Sequence, residues 1–145
     1  MIERMKALLR EKDLCVLATA AGGAPHCSLM AYVTDEDGTA LYMATMKSTT
    51  KYANLLENPR VSLLVDTRDD AAGAKPGGAT QALTVEGRCE VLEETEERSR
   101  AHADLLHRHP TLREVLEHPD TVVLRVAVES FLLLDGPREA HFERL

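Results

Sequence analysis

The fold class this chain predicts is mainly β, a small antiparallel barrel with peripheral helices. Six short apolar segments read as strands, and most neighbours among them are joined by tight turn signals. Helical periodicity is confined to a few separate stretches, which suits helices lying outside a barrel rather than a layered α/β fold. With 145 residues, 44% of them hydrophobic, the chain is long enough for one real core, and a single domain over 1–145 is expected.

Ile2, Met5, Leu8 and Leu9 recur at helical spacing and open the chain with an amphipathic helix ending near Lys12. Residues 14–20 form a short apolar strand, and Ala21-Gly22-Gly23-Ala24 turns it back into a second, Pro25 to Thr34. Asp35-Glu36-Asp37-Gly38 is a strong turn leading to a third strand, Thr39 to Thr45. A helix opened by Ser48 stops at Asn58-Pro59, because the residue before proline is driven out of the α region. Arg60 to Asp66 is the fourth strand, and Thr67 to Thr80 a long irregular loop with three glycines. Gln81 to Glu93 is the fifth strand, with Leu83, Val85 and Gly87 on one face. A charged helix from Thr95 to His109 and a short one from Thr111 to His118 precede the last strand, Thr121 to Leu134. Asp135-Gly136-Pro137 then begins a polar tail.

Composition narrows the partners. A formal charge of −7 argues against nucleic acid, which calls for a basic stripe. No apolar run approaches 18 residues and no secretory leader pattern stands at the start, so neither a membrane nor export is expected. Cys15, Cys27 and Cys89 are odd in number and widely spaced, which suits a reducing cytoplasm better than a disulfide scaffold. With three Tyr, two Phe and no Trp, the core must be aliphatic.

The densest chemical signal runs from Met46 to Pro59. Ser48 reads as an N-cap, yet the N3 position of a capping box holds Lys51 instead of an acid. A first-turn cation opposes the helix dipole by about 0.3–1 kcal/mol when exposed. Free backbone N–H groups, the hydroxyls of Ser48, Thr49 and Thr50, and an ammonium together suit an anion, most naturally a phosphate. The plain alternative is a capped surface helix with a solvated lysine.

These segments carry a family resemblance in their order and spacing. Val16-Leu17-Ala18-Thr19, Gly23-x-Pro25, Leu41-Tyr42-x-x-Thr45 and Ser48-Thr49-x-Lys51-x-x-Asn54-Leu55-x-x-Asn58-Pro59-x-Val61-Ser62 resemble the pyridoxamine 5′-phosphate oxidase-like proteins. Leu83-Thr84-Val85-Glu86-Gly87-x-Cys89 extends the likeness, which covers residues 1–92 best. The resemblance implies a six-stranded antiparallel split β-barrel of the FMN-binding type, forming a homodimer with the cofactor at the interface. It implies that Lys51 and Thr49 grip the FMN phosphate, with Ser48 and Thr50 beside them, and that Thr45 lies near the flavin. The strand containing His26, Cys27, Ser28 and Leu29 would pass along the flavin ring. The loop carrying Arg68 and Lys75 would fold over the cofactor, and the partner would contribute from residues 81–86 or the loop before them.

Departures bear on activity. The vitamin-forming oxidase has arginines where this chain has Ser28 and Thr50, and Arg138 and His141 have no context matching its substrate-binding arginine and histidine. The expectation is therefore an FMN-dependent oxidoreductase acting on another small molecule, not the vitamin-forming enzyme. A flavin- or haem-binding carrier, sensor or stress protein without turnover, or an F420-dependent reductase, are the alternatives.

Strand alternation puts His26 and Ser28 on one face as candidate flavin contacts, against the plain reading of His26 as a half-exposed, inert residue. Cys27, on the other face, reads as a small core residue. His102 and His107 are five apart, unlike the i, i+4 spacing of helical metal ligands, so with His109 they read as a solvated helix face and no metal is expected.

Overall fold

The computed structural model describes residues 1–72 and 80–145, so Lys75 lies outside the described residues. Eight strands form one antiparallel sheet, curled into a split barrel. The first helix, α1 (Ile2–Glu11), places Met5, Leu8 and Leu9 in the core. Strands β1 (Leu14–Ala21) and β2 (Ala24–Ala31) form a hairpin in register Leu14↔Ala31 to Ala21↔Ala24. Its turn holds Gly22 and Gly23 at φ +57° and +79°, the conformation that tight hairpin turns demand and that glycine adopts freely. After Tyr32 comes β3 (Val33–Thr34), then β4 (Ala40–Met46), α2 (Thr50–Glu57) and β5 (Arg60–Asp66). The order continues with β6 (Gln81–Val91), α3 (Glu96–Arg108), α4 (Arg113–Glu117), β7 (Thr121–Asp135) and β8 (Glu139–Arg144).

Strand order along the sheet is β2-β1-β5-β6-β7-β4-β3, with β8 added on β7. The two ends of that path, β2 and β3, are consecutive in the chain. Counted as one bent strand they close a six-stranded barrel, and β8 is extra to the expected set. β7 makes this possible by its length: Thr121–Ala127 pairs with β4, while Ser130–Asp135 pairs with β8.

Several sequence expectations shift at element boundaries. The second strand breaks at Tyr32, whose fully buried ring donates its hydroxyl to Leu9 O at 2.7 Å and whose N–H binds Asp13 O. The expected polar tail is instead β8, hidden in sequence because an edge strand with one exposed face needs no apolar run. The loop after β5 opens with a 3-10 turn over Arg68–Ala72. Cys27 is exposed rather than buried, since Met30, Cys15 and Leu17 point inward and Cys27 has the opposite parity.

The barrel interior is aliphatic: Leu17, Leu41, Met43, Leu63, Leu83 and Leu124 are fully or almost fully buried. The C-terminal end of α1 is tied to α3 by the Arg108 guanidinium, which donates to Arg10 O (3.2 Å) and Glu11 O (2.8 Å) and so satisfies helix-end carbonyls. α3 and α4 cover the outside of β4 through a second small cluster, Val33, Leu105 and Leu116.

Gly87 sits at a register shift between β6 and β7, where the pairing passes from Glu86↔Ser130 to Gly87↔Val128. A Cβ there would clash with Ala127 O and lie 2.9 Å from Val126 Cγ1. Gly87→Ala is expected to destabilise the fold by at least about 1–3 kcal/mol, measured by chemical denaturation. An unchanged midpoint would show that the bulge relaxes freely.

Candidate functional site

The site grows from the end of β4. Lys47 N–H binds Asp120 O and Thr49 N–H binds Met46 O, which turns the chain sharply into α2. Thr49 is extended (φ −89°, ψ 153°), and its hydroxyl accepts from Tyr52 N–H at 3.3 Å. Thr49 is therefore the N-cap, one residue beyond the expected Ser48, and Lys51 becomes N2. The reason is the local turn: Thr49 Oγ1 also donates to Met46 O at 2.9 Å and meets Thr45 Oγ1 at 3.1 Å. Ser48 remains in the turn, exposed.

No acidic residue stands in the first turn of α2. Among the described residues the N–H groups of Thr50 and Lys51 have no acceptor, and Lys51 has no carboxylate within ion-pair reach. The Lys51 side chain is half-buried, and that desolvation pushes its pKa below the usual lysine value of 10.5. An ammonium partly removed from water, with free N–H groups beside it, forms a site poised for an anion.

α2 is anchored over β1 and β2. Leu55 is buried, and Asn54 Nδ2 donates to Thr19 Oγ1 at 3.0 Å. Thr19 pairs with His26 and Leu17 with Ser28, so His26 and Ser28 share the inner face of β2, both half-buried. The structure thus gathers Thr45, Ser48, Thr49, Thr50 and Lys51 at one helix start and sets His26 and Ser28 on the strand that α2 packs against.

Arg68 is placed elsewhere. It pairs with Asp66 (Nε–Oδ2 3.2 Å) and lines a cleft of about 390 Å³ with Lys12, Val16, Leu29 and Leu64. Lys12 and Asp70 form an ion pair across that cleft. His102 and His109 bind the carbonyls of Leu116 and Tyr32, so they tie α3 to its neighbours rather than facing solvent idly. His141 lies on β8, opposite Leu133, with Glu139 3.9 Å away. No cluster of three or more potential metal ligands occurs among the described residues.

The sequence reading missed one feature of the outer face. Leu29, Val16, Leu64, Thr84, Leu132 and Phe142 are paired one to the next across β2-β1-β5-β6-β7-β8 and form a continuous row. Leu29 is 71% exposed and Phe142 55%, unusual for such side chains in a contiguous patch. The alternation of β2 was the only available signal, and it did not say which face was the core.

Several solved structures share this architecture. A heme binding protein from Mycobacterium smegmatis superposes with TM-score 0.82 at 20% identity, over 98% of this chain but only 57% of that one. HutZ, the heme storage protein from Vibrio cholerae, gives TM-score 0.72 at 21% identity over 91% of this chain and 92% of that one. An FAD-binding protein from Mesorhizobium loti gives 0.72 at 23% identity, over 90% and 91%. At these identities the likeness establishes the fold. No curated protein matches the chain. Residues 1–135 match the family described as pyridoxamine 5′-phosphate oxidase, and with the split barrel in place the chain belongs to that family.

Proposed function

We propose that this protein binds FMN with its phosphate at the start of α2 and acts as an oxidoreductase on a small molecule. The observation that carries this reading is Lys51: half-buried, without a carboxylate partner among the described residues, and adjacent to two free N–H groups. Lys51, Thr50 and Ser48 would hold the phosphate, and the backbone of residues 26–30 would run beside the ring. The flavin, when bound, supplies the hydride chemistry. The chain's own residues bind, orient and shield it. With Thr50 and Ser28 in place of arginines, the anion is held by one ammonium and backbone dipoles. That argues for a single phosphate monoester and against the vitamin-forming reaction.

A second reading is haem binding without turnover. It is supported by the heme-binding neighbours and by His26, a half-buried imidazole on the inner face of β2. F420 is a third ligand, less suited to an acidic chain with one lysine at the site. Absorbance of the purified protein after incubation with each cofactor separates them. Flavin bands that bleach anaerobically with NAD(P)H are expected, and a Soret band without flavin binding would overturn the FMN reading.

Lys51→Ala is expected to weaken FMN binding by about 1.5–3 kcal/mol, roughly tenfold to over a hundredfold, by fluorescence titration. Lys51 grips phosphate only in its charged form, so its contribution is whole below its lowered pKa. It should fade as pH rises through that value, beginning below 10.5. Unchanged affinity in Lys51→Ala would remove Lys51 from the site.

The family resemblance implies a homodimer. We assign the apolar outer row, part of which lines the Arg68 cleft, to a second copy of this chain. A cytoplasmic location belongs to the same proposal: the three cysteines are unpaired, and no described helix is long and apolar enough to cross a membrane. Leu29→Asp is expected to convert a dimer to a monomer in analytical ultracentrifugation. A dimer that persists would move the interface off this face.

A further inference from the structure

We infer that the outer sheet face is self-complementary in charge, so that a second copy docks on it in one orientation, related by a two-fold axis normal to the sheet; the inference rests on the dimer reading above. Arg60 and Arg88 are exposed and stand directly opposite each other in the β5–β6 register, on the side that carries Leu64 and Thr84. Arg144 joins them on β8, its guanidinium 5.7 Å from the centre of the Phe142 ring. Like charges facing each other across a ladder are destabilising on their own. Yet none of the three has a carboxylate within ion-pair reach among the described residues, and residues 73–79 hold no acid. Scarcity is not the cause, since the chain carries 24 acids against 17 basic residues. The carboxylates two positions either side of Arg88 are engaged elsewhere: Glu86 accepts from Ser62 at 3.0 Å, and Glu90 lies 3.8 Å from Arg125.

The opposite end of the same face is acidic. Beside Leu29, Val16 and Leu64, the cleft is lined by Asp13, Asp66, Asp69 and Asp70 against Lys12 and Arg68. Those two cations already pair with Asp70 and Asp66, which leaves Asp13 and Asp69 in excess among the described residues. The apolar row lies between the two ends: along β5, Arg60 precedes Leu64 by four residues and Asp66 follows it by two. A two-fold axis normal to the face, passing through that row, reverses the strand direction of the second copy. It lays apolar row on apolar row and sets the arginine end of each copy against the cleft end of the other, twice per dimer. An axis running along the strands would instead oppose arginine to arginine. Complementary rims of this kind fix orientation and steer encounter more than they add affinity.

Charge reversal at either end, read by analytical ultracentrifugation of the full chain, tests this arrangement. The unaltered dimer is expected to weaken roughly tenfold or more between about 0.05 and 0.5 M NaCl, as screening shortens the reach of surface charge. Arg60→Glu with Arg88→Glu, and separately Asp69→Lys with Asp70→Lys, should each raise the dimer Kd roughly tenfold or more, because each sets like charges together at both symmetric contacts. An equimolar mixture of the two variants should dimerise as the unaltered chain does. Glutamate then meets lysine at one contact, and arginine meets aspartate at the other. All four positions are exposed, and circular dichroism checks that the variants fold. Should a reversal fail to fold, Arg60→Gln with Arg88→Gln serves for the salt comparison, where a flattened salt dependence is expected. A dimer equally strong in both reversal variants, yet lost in Leu29→Asp, would overturn the inference and leave the interface on this face. A mixture that does not recover would overturn the two-fold orientation, and the inference with it. A monomeric unaltered chain, or a dimer indifferent to Leu29→Asp, would overturn the dimer reading and this inference together.

Discussion

The bend at Tyr32 is the constraint on which the rest of this structure depends. β2 and β3 stand at opposite ends of the sheet order yet are separated by one residue, so the barrel can close only if the chain turns there. Tyr32 makes that turn costly to undo. Its ring is fully buried, its hydroxyl binds Leu9 O, its N–H binds Asp13 O and its carbonyl meets His109. One residue therefore ties α1, the barrel wall and α3 together. Because β3 occupies only two residues of β4's edge, the last residues of β4 face β2 across a gap with no ladder between them. That gap is where α2 begins.

The start of α2 is a local compromise within this closure. A cation in the first turn and a half-buried ammonium both disfavour the isolated protein, the first by about 0.3–1 kcal/mol. Neither is relieved by a carboxylate among the described residues. Leu55 and the Asn54–Thr19 hydrogen bond keep the helix in place regardless. Such an arrangement is stable enough to persist, and an anion placed there would relieve both costs, which is what supports the proposed binding site.

Much of the fold was legible because its signals are local. Gly22-Gly23 and Asp35 to Gly38 named their turns, and the apolar runs at 14–20, 60–66 and 121–134 named their strands. The proposed anion site was legible for the same reason: Thr49, Thr50 and Lys51 are neighbours in the chain. The misses were of another kind. Ser48 and Thr49 are both good caps by sequence, and what selects Thr49 is the shape of the turn, which brings its hydroxyl to Met46 O and Thr45 Oγ1. β8 is polar on its exposed side and becomes a strand only because β7 extends beyond β4 and offers a partner.

The sequence by itself determined most of the helices and strands, the turns and the phosphate-like cluster, since each rests on contacts within a few residues. It also determined that Cys27 and Leu29 oppose His26 and Ser28, because side chains alternate along any strand. Only the tertiary structure decided which of those faces is the interior. Curling the sheet around α1 put Met30, Ser28 and His26 inside, and left Leu29 aligned with Val16, Leu64 and Phe142 outside. It likewise set Arg68 against Asp66 in a cleft with Leu29 and Leu64, neighbours no spacing along the chain could reveal. Alternation fixes relative sides, but inside and outside exist only once the barrel has closed.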